Sequence, residues 1–85
     1  MNITLRFFAS VRETLGTSTE TVALPDGVGT VGDVRAFLVA RGAAWEQALG
    51  EGRALRMACN QVMCQPDTPV TDGCEVAFFP PVTGG

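Results

Sequence analysis

The residues with the clearest chemical potential stand at the end of the sequence, where Gly84 and Gly85 follow Val82 and Thr83. Two successive glycines have no Cβ atoms, so this segment could enter a narrow channel and approach another backbone closely. A free carboxylate on Gly85 could then be presented to a nucleotide phosphate in another protein's active site. The pattern predicts a terminal carboxylate as the reactive group, although glycine is also common in terminal segments that have no function.

The side chains that most enzymes use for acid–base and covalent catalysis are absent. The 85 residues contain no His, Lys or Tyr, and all six basic residues are Arg. Histidine is the usual general acid or base near neutral pH, and lysine is the usual Schiff-base residue. We therefore expect that the chain is not an enzyme on its own.

Composition and charge exclude several further classes. The hydrophobic content of 46% and charged content of 18% are typical of one small folded domain. The net charge of −3 argues against binding of nucleic acid, which depends on Lys and Arg contacts to phosphate. No apolar run approaches the roughly 20 residues of a membrane span. No secretion signal precedes the first strand-like segment, so we expect a cytoplasmic protein with no membrane partner.

The cysteines Cys59, Cys64 and Cys74 do not form a recognisable metal motif. A zinc site usually takes four Cys or His ligands, and three cysteines without a histidine fall short of it. The spacing of Cys59 and Cys64 matches one part of a plant-type iron–sulfur pattern, but the remaining ligands are missing. We interpret all three as small buried hydrophobic residues in a reducing compartment, with no bound metal or cofactor.

Alternating and helical patterns predict the elements that must position the terminus. Thr30, with Asp33 three residues later, predicts the start of the main helix, and Gly42 predicts its end. A short second helix is predicted over residues 44–49, and a turn at residues 60–61. The predicted strands, of which the first two form a hairpin with a short loop, are residues 2–8, 19–24, 55–59, 62–65 and 74–79.

This order of elements favours a two-layer α+β domain. One main helix and a short second helix would pack across a mixed sheet of about five strands. The arrangement matches the β-grasp (ubiquitin-like) fold, in which the first and last strands are parallel neighbours at the centre of the sheet. We predict that residues 1–79 form this domain and that residues 80–85 form a flexible tail.

Side-chain alternation in the first and last strands predicts an exposed aromatic pair. Phe79 shares the parity of Glu75, and Phe8 shares the parity of Arg6, so both rings should face away from the core. Parallel neighbouring strands would bring the two rings to the same edge of the sheet. Exposed aromatic side chains of this kind favour a partner interface; the alternative is that both rings cap the core where the strands twist.

Pro80 and Pro81 separate this predicted interface from the terminal glycines. Proline lacks the N–H of a strand hydrogen bond and fixes φ near −65°, so the pair ends the strand and stiffens the start of the tail. Residues 80–85 would reach roughly 20 Å when fully extended. The combination favours a projecting tail over a simple strand terminator.

Residues 70–85, with the ending Phe-Phe-Pro-Pro-Val-Thr-Gly-Gly, resemble the C-terminus of the molybdopterin synthase small-subunit family (MoaD). Residues 5–13 (LRFFASVRE) are similar to the family's opening strand and turn, and residues 58–61 (ACNQ) to its central Val-Asn-Gln segment. The resemblance therefore spans essentially the whole chain. Cys74 departs from the acidic or polar residue expected at that position, without touching a functional motif.

The resemblance implies a sulfur carrier of molybdenum cofactor biosynthesis. A MoeB-like adenylyltransferase, similar to ubiquitin-activating enzymes, would consume ATP and Mg²⁺ to adenylate Gly85. A persulfide sulfur donor would convert the acyl-adenylate into a thiocarboxylate, 1-thioglycine. The tail would enter the large subunit of molybdopterin synthase (MoaE-like) and give its sulfur to cyclic pyranopterin monophosphate, precursor Z. In this family two carriers flank a large-subunit dimer in a heterotetramer.

The resemblance also implies which residues contact partners. By motif position, Phe8, Met63 and Phe79 would form an apolar docking surface, and Arg12 would add a polar contact. For Met63, an ordinary place in the core is an equally good interpretation. The remaining partner-binding residues would be those of the tail, namely Pro80, Pro81, Val82, Thr83 and Gly84, with Gly85 as the reacting residue.

Three other functions stay open. A thiamine-pathway sulfur carrier has the same fold and a Gly-Gly end, but its chains are usually shorter and lack the Phe-Phe-Pro-Pro segment. A ubiquitin-like modifier would join Gly85 to lysines of target proteins, and the absence of Lys excludes chains built on this protein itself. A pure interaction domain would leave the glycines without a function.

Overall fold

The computed structural model describes residues 1–81, in which the first and last strands lie side by side within one five-stranded sheet. The sheet order is β2-β1-β5-β3-β4; β1 and β5 are parallel, and the other neighbours are antiparallel. This confirms the predicted β-grasp arrangement. The strands are β1 (Asn2–Phe7), β2 (Thr19–Ala23), β3 (Arg56–Cys59), β4 (Val62–Cys64) and β5 (Glu75–Phe79).

Three helices lie in the connections between these strands: α1 (Ala9–Leu15), α2 (Val31–Val39) and α3 (Ala43–Leu49). The main helix and the short second helix are confirmed, but the prediction of a short loop between the first two strands is wrong. These strands do pair antiparallel, yet α1 forms their connection. Phe8 precedes α1 without a side-chain cap, so the polar residue that usually marks a helix start is missing. None of the helices in residues 1–81 is long and apolar enough to cross a bilayer.

The start of α2 is the predicted capping box. The Thr30 hydroxyl accepts a hydrogen bond from the Asp33 N–H at 3.1 Å, and the Asp33 carboxylate accepts one from the Thr30 N–H at 3.2 Å. The same carboxylate accepts the Gly29 N–H at 3.1 Å. These bonds, that from Gly29 first, hold the pKa of Asp33 below its usual range because they stabilise the ionised form.

The end of α2 differs from the prediction. The helix ends at Val39, and the N–H groups of Arg41 and Gly42 donate to the Leu38 and Val39 carbonyls in a tightened last turn. Gly42, with a φ of 147°, is instead the N-cap of α3. The positive φ of this glycine therefore lies between two helices, in a conformation that favours glycine.

The helices cover one face of the sheet, which we call the covered face. Each predicted strand differs from the observed one by a single residue at one end, so the predicted parity holds. In residues 1–81 no side-chain nitrogen or oxygen is buried without a hydrogen-bond partner. Among the fully buried side chains of the covered face and the helices above it are Leu5, Phe7, Val34, Leu38, Val76 and Phe78.

The opposite face of the sheet, which we call the open face, has no helix packed on it in the described residues. The strand register assigns its members, because directly paired residues project to the same side. The open face of the four strands β1, β5, β3 and β4 carries Thr4, Arg6, Glu75, Ala77, Phe79, Arg56, Ala58 and Met63.

Candidate functional site

The central parallel strands bring two aromatic side chains to the same end of the sheet. Phe8 follows β1 in an extended conformation, so its side chain stays on the open face with Arg6. Its N–H donates to the Phe78 carbonyl at 3.2 Å, which aligns Phe8 with Phe79. The two rings pack edge to face, with centroids 6.3 Å apart and planes inclined by 85°. The predicted meeting of these two rings is confirmed.

The aromatic pair is not part of the core. Phe8 is 41% exposed and Phe79 is half-buried, and neither packs into the buried cluster under the helices. The alternative that both rings cap the core is therefore wrong. Arg6 borders the pair: its guanidinium carbon lies 5.7 Å from the Phe8 ring centroid, and its Nη1 lies 3.7 Å from Glu75 Oε1.

Met63 extends the open face to the outermost strand. The register aligns Arg6 with Ala77, Ala77 with Ala58, and Ala58 with Met63, so the four lie in one row across the sheet. Met63 is 58% exposed, whereas Ala77 and Ala58, which lie between Arg6 and Met63 in this row, are almost inaccessible to solvent. Placement of Met63 in the core is therefore wrong. Its position beside a flat alanine floor suits an apolar contact, and its role in binding stays a prediction.

Arg12 lies one turn into α1 and is exposed. Its N–H donates to the Phe8 carbonyl at 3.4 Å, and its carbonyl accepts the Gly16 N–H at 2.8 Å. The backbone that carries Arg12 is therefore held next to Phe8. Neither of the two ion pairs found in residues 1–81 involves this side chain, so its charge is available for a contact with a partner.

The predicted stem of the tail begins beside the aromatic pair. Pro80 and Pro81 follow Phe79 directly and are both half-buried. Pro80 lines a groove of about 320 Å³ between α1 and the segment after α3, together with Val11 and Leu55 among others. The rest of the predicted tail, with the predicted reactive carboxylate, lies outside the described residues; it comprises Val82, Thr83, Gly84 and Gly85.

The cysteines do not offer an activated nucleophile. Cys74 is buried as predicted, whereas Cys59 and Cys64 are only half-buried and pack against the edge of the core. Burial, and after it the neighbouring Cys74, raises the pKa of the Cys59 thiol; burial also raises the pKa of Cys64. A raised pKa keeps a thiol protonated and weakly nucleophilic at neutral pH. Residues 1–81 contain no cluster of three or more His, Cys, Asp or Glu suited to a metal ion.

Sequence reasoning missed part of the open face. Arg56 is the register partner of Phe79, and Ala58 and Ala77 form the floor of the open face. Side-chain alternation could have indicated these residues. Each of them is separated by one position from residues of the same face, as Arg56 and Ala58 are by the inward-facing Met57. Parity alone does not say which strands are neighbours, so the composition of the face emerges only from the register.

Comparisons with known proteins place the chain among small carrier proteins. The molybdopterin synthase sulfur carrier subunit of Escherichia coli (strain K12) is 47% identical over 83 residues, which span 98% of this chain and 99% of that protein. The ThiS family profile matches residues 5–85. The family match runs to the last residue, so it includes both the aromatic pair and the Gly-Gly end.

Solved structures of similar proteins have the same fold. SAMP1 from Haloferax volcanii, a small archaeal modifier protein, is 30% identical and superposes with a TM-score of 0.79 over 100% of both chains. A chain from the complex of subunits 1 and 2 of molybdopterin-converting factor of Helicobacter pylori 26695 gives a TM-score of 0.69 at 23% identity, again over 100% of both chains. At that identity the second likeness concerns the fold alone.

Proposed function

We propose, because the chain belongs to the ThiS family, that it is the sulfur carrier subunit of a molybdopterin synthase. The carboxylate of Gly85 is the reactive group in this proposal. The observation that carries it is the aromatic pair Phe8–Phe79, which lies outside the core at the root of the Pro80–Pro81 stem. The 47% identity to the Escherichia coli subunit of that function supports the same assignment.

Activation of the carboxylate takes place in a partner. A MoeB-like adenylyltransferase binds ATP and Mg²⁺, and a carboxylate oxygen of Gly85 attacks the α-phosphorus while pyrophosphate leaves. The outer sulfur of a persulfide donor then attacks the acyl carbon and displaces AMP, which leaves the donor joined to Gly85 through an acyl disulfide. A second thiol of the sulfur-donor system reduces this bond, so that the donor leaves in a disulfide with that thiol and Gly85 carries a thiocarboxylate. The chain itself supplies no catalytic side chain for these steps; it has no His or Lys, and its two half-buried thiols have raised pKa values.

Delivery of the sulfur depends on docking. The open face around Phe8, Phe79 and Met63 binds the large subunit, and Arg12 adds a polar contact at its border. The stem starts at this face, and six residues from Pro80 reach roughly 20 Å, enough to carry Gly85 into a channel. There the thiocarboxylate gives its sulfur to cyclic pyranopterin monophosphate. A large-subunit partner is supported by the 47% identity to a molybdopterin synthase sulfur carrier subunit, and the heterotetramer is what the resemblance to that family implies.

Intact-mass measurement tests the activation step. The chain is incubated with the activating enzyme, Mg-ATP and a sulfur source, and a mass gain of one oxygen-to-sulfur exchange at the terminus is expected. Omission of ATP is the control and should leave the mass unchanged. An unchanged mass with all components present would overturn the proposal.

Reconstitution then separates the molybdenum pathway from the thiamine pathway. The thiocarboxylated chain is mixed either with the large subunit and precursor Z or with the components of thiazole synthesis. Molybdopterin is expected in the first mixture and no thiazole in the second. The reverse result would identify a thiamine-pathway carrier.

A ubiquitin-like modifier is the second candidate, favoured by the likeness to SAMP1 at 30% identity. In that function the activated Gly85 would form an isopeptide bond with a lysine of an acceptor protein. The two functions differ in their product, because a carrier ends as the free chain after sulfur transfer. Mass spectrometry of the activated chain with lysine-rich acceptor proteins should therefore detect no covalent adduct if the carrier assignment is right.

A further inference from the structure

Arg56 is an exposed cation on the open face, and no carboxylate within residues 1–81 pairs with it. The register pairs Arg56 with Phe79, so both side chains project from the open face. Across the aromatic pair, Arg6 lies 3.7 Å from Glu75 and contacts the Phe8 ring. No ion pair, cation–π contact or side-chain hydrogen bond in residues 1–81 involves Arg56.

The open face also differs in charge from the rest of the chain. Its ionisable side chains are Arg6, Arg56 and Glu75, so it carries one net positive charge. The whole sequence has a formal net charge of −3, which leaves four net negative charges on the remaining surface. A cationic face on an acidic protein orients it during diffusion towards a negatively charged surface.

A partner that covers Phe79 must also remove water from Arg56. Paired residues on neighbouring antiparallel strands have Cβ atoms about 5 Å apart, so one cannot be covered while the other stays fully hydrated. An unpaired guanidinium that loses its water weakens the interface unless the partner supplies an acceptor. A carboxylate is the matching acceptor, because it takes two parallel hydrogen bonds from the guanidinium.

We propose that Arg56 is a specificity-determining docking residue that pairs with a carboxylate of the molybdopterin synthase large subunit. The inference rests on the proposed function, since that function assigns the large subunit to the open face. The partner surface is an apolar socket for Phe8 and Phe79 that is bordered, on the β3 side, by Asp or Glu. Surfaces without this acid are rejected because they leave Arg56 unpaired.

Binding kinetics of the full chain with the large subunit from the same genome test this inference. Wild type and Arg56→Gln are compared over a series of salt concentrations. The association rate of Arg56→Gln should fall about threefold to tenfold at low salt, and the deficit should shrink as salt screens the charges. Arg56→Lys, which keeps the charge but not the two-pronged geometry, should keep the association rate and dissociate about twofold to threefold faster.

Ala36→Glu is the matched control. It changes the net charge by the same amount as Arg56→Gln, but from an exposed position on α2, away from the open face. Its association rate should stay within about 1.5-fold of wild type. Equal slowing by both variants, or an Arg56→Gln variant that binds like wild type at every salt concentration, would overturn the inference while leaving the proposed function intact. A wild-type chain that does not bind the large subunit would overturn the proposed function and the inference together.

Discussion

Phe78 and Phe79 are adjacent in β5, yet they lie in opposite environments. Phe78 projects from the covered face, is fully buried, and stacks on Phe7 with centroids 6.4 Å apart. Phe79 projects from the open face and meets the exposed Phe8 outside the core. Two identical side chains therefore lie in different environments: the first stabilises the fold, and the second is the one that we propose contacts the large subunit.

The same division holds across the rest of the sheet. On the covered face, side chains such as Leu5 and Val76 are completely buried beneath the helices. On the open face, alanines alternate with arginine and methionine, a composition that would pack a core poorly. The buried side chains of one parity stabilise the domain, and the side chains of the other parity form the face that we propose binds the partner. Substitutions on the two faces should therefore affect different measurements.

The largest expected effect is on stability, from Phe78→Ala. Truncation of a fully buried phenylalanine removes apolar contacts and leaves a cavity, which typically costs about 3–5 kcal/mol of unfolding free energy. Phe79→Ala, its neighbour in sequence, should cost only about 1 kcal/mol, since it loses a partly exposed aromatic contact. Urea unfolding monitored by circular dichroism measures both. Equal losses in the two variants would break the comparison between the faces.

The opposite order is expected for binding. Phe79→Ala should weaken affinity for the large subunit by about 2 kcal/mol, or roughly thirtyfold, as for a central aromatic residue of an interface. Val62→Ala is the control: it removes a more exposed hydrophobic side chain, 67% accessible, whose register partner Cys59 belongs to the covered side. Calorimetric titration should detect little change for Val62→Ala. A similar loss in both variants would mean that general surface hydrophobicity, and not the open face, governs binding.

A smaller effect is expected on the pH dependence of stability, through the capping box that starts α2 in the helical layer. The pKa of Asp33 is lowered from its ordinary 3.8, chiefly by the Gly29 N–H. The ionised Asp33 carboxylate therefore makes its full contribution to stability above pH 3.8, the ordinary pKa. This contribution is lost as the pH falls through the lower pKa of the folded state. Thermal midpoints measured on the acid side should decline less steeply for Asp33→Asn than for wild type. Parallel curves would contradict the capping role, and binding through the open face at neutral pH should be unaffected.

Much of the fold could be predicted because the responsible interactions are local. Alternation predicted most of the strands, and the pair Thr30 and Asp33 predicted the start of α2. Residues 60–61, the turn that predicted β4, have positive φ at both positions. The helix α1 was missed because only Val11 of its seven residues is buried and Phe8 gives no capping signal. Gly42 was assigned to the wrong helix, since a glycine between two helices fits the end of one and the start of the next.

The candidate site was predictable in part. The meeting of Phe8 and Phe79 followed from parity once the two strands were taken as parallel neighbours. The row from Arg6 to Met63 and the place of Arg56 beside Phe79 depend on the register between β3, β4 and β5, which no local pattern specifies. The roles of the tail residues still rest on the resemblance and on family membership.

The central claim is that the terminal carboxylate of Gly85 carries the sulfur, and deletion of Gly85 tests it most directly. Full-length and truncated chains are each supplied with the activating enzyme, Mg-ATP, a sulfur source, the large subunit and precursor Z, and the molybdopterin formed is measured. The full-length chain should support formation and the truncated chain should not, because its carboxylate stops about 3.5 Å short. Both chains should have the same thermal midpoint, since the core residues all precede the tail. Molybdopterin formation by the truncated chain at the level of the full-length chain would contradict the account.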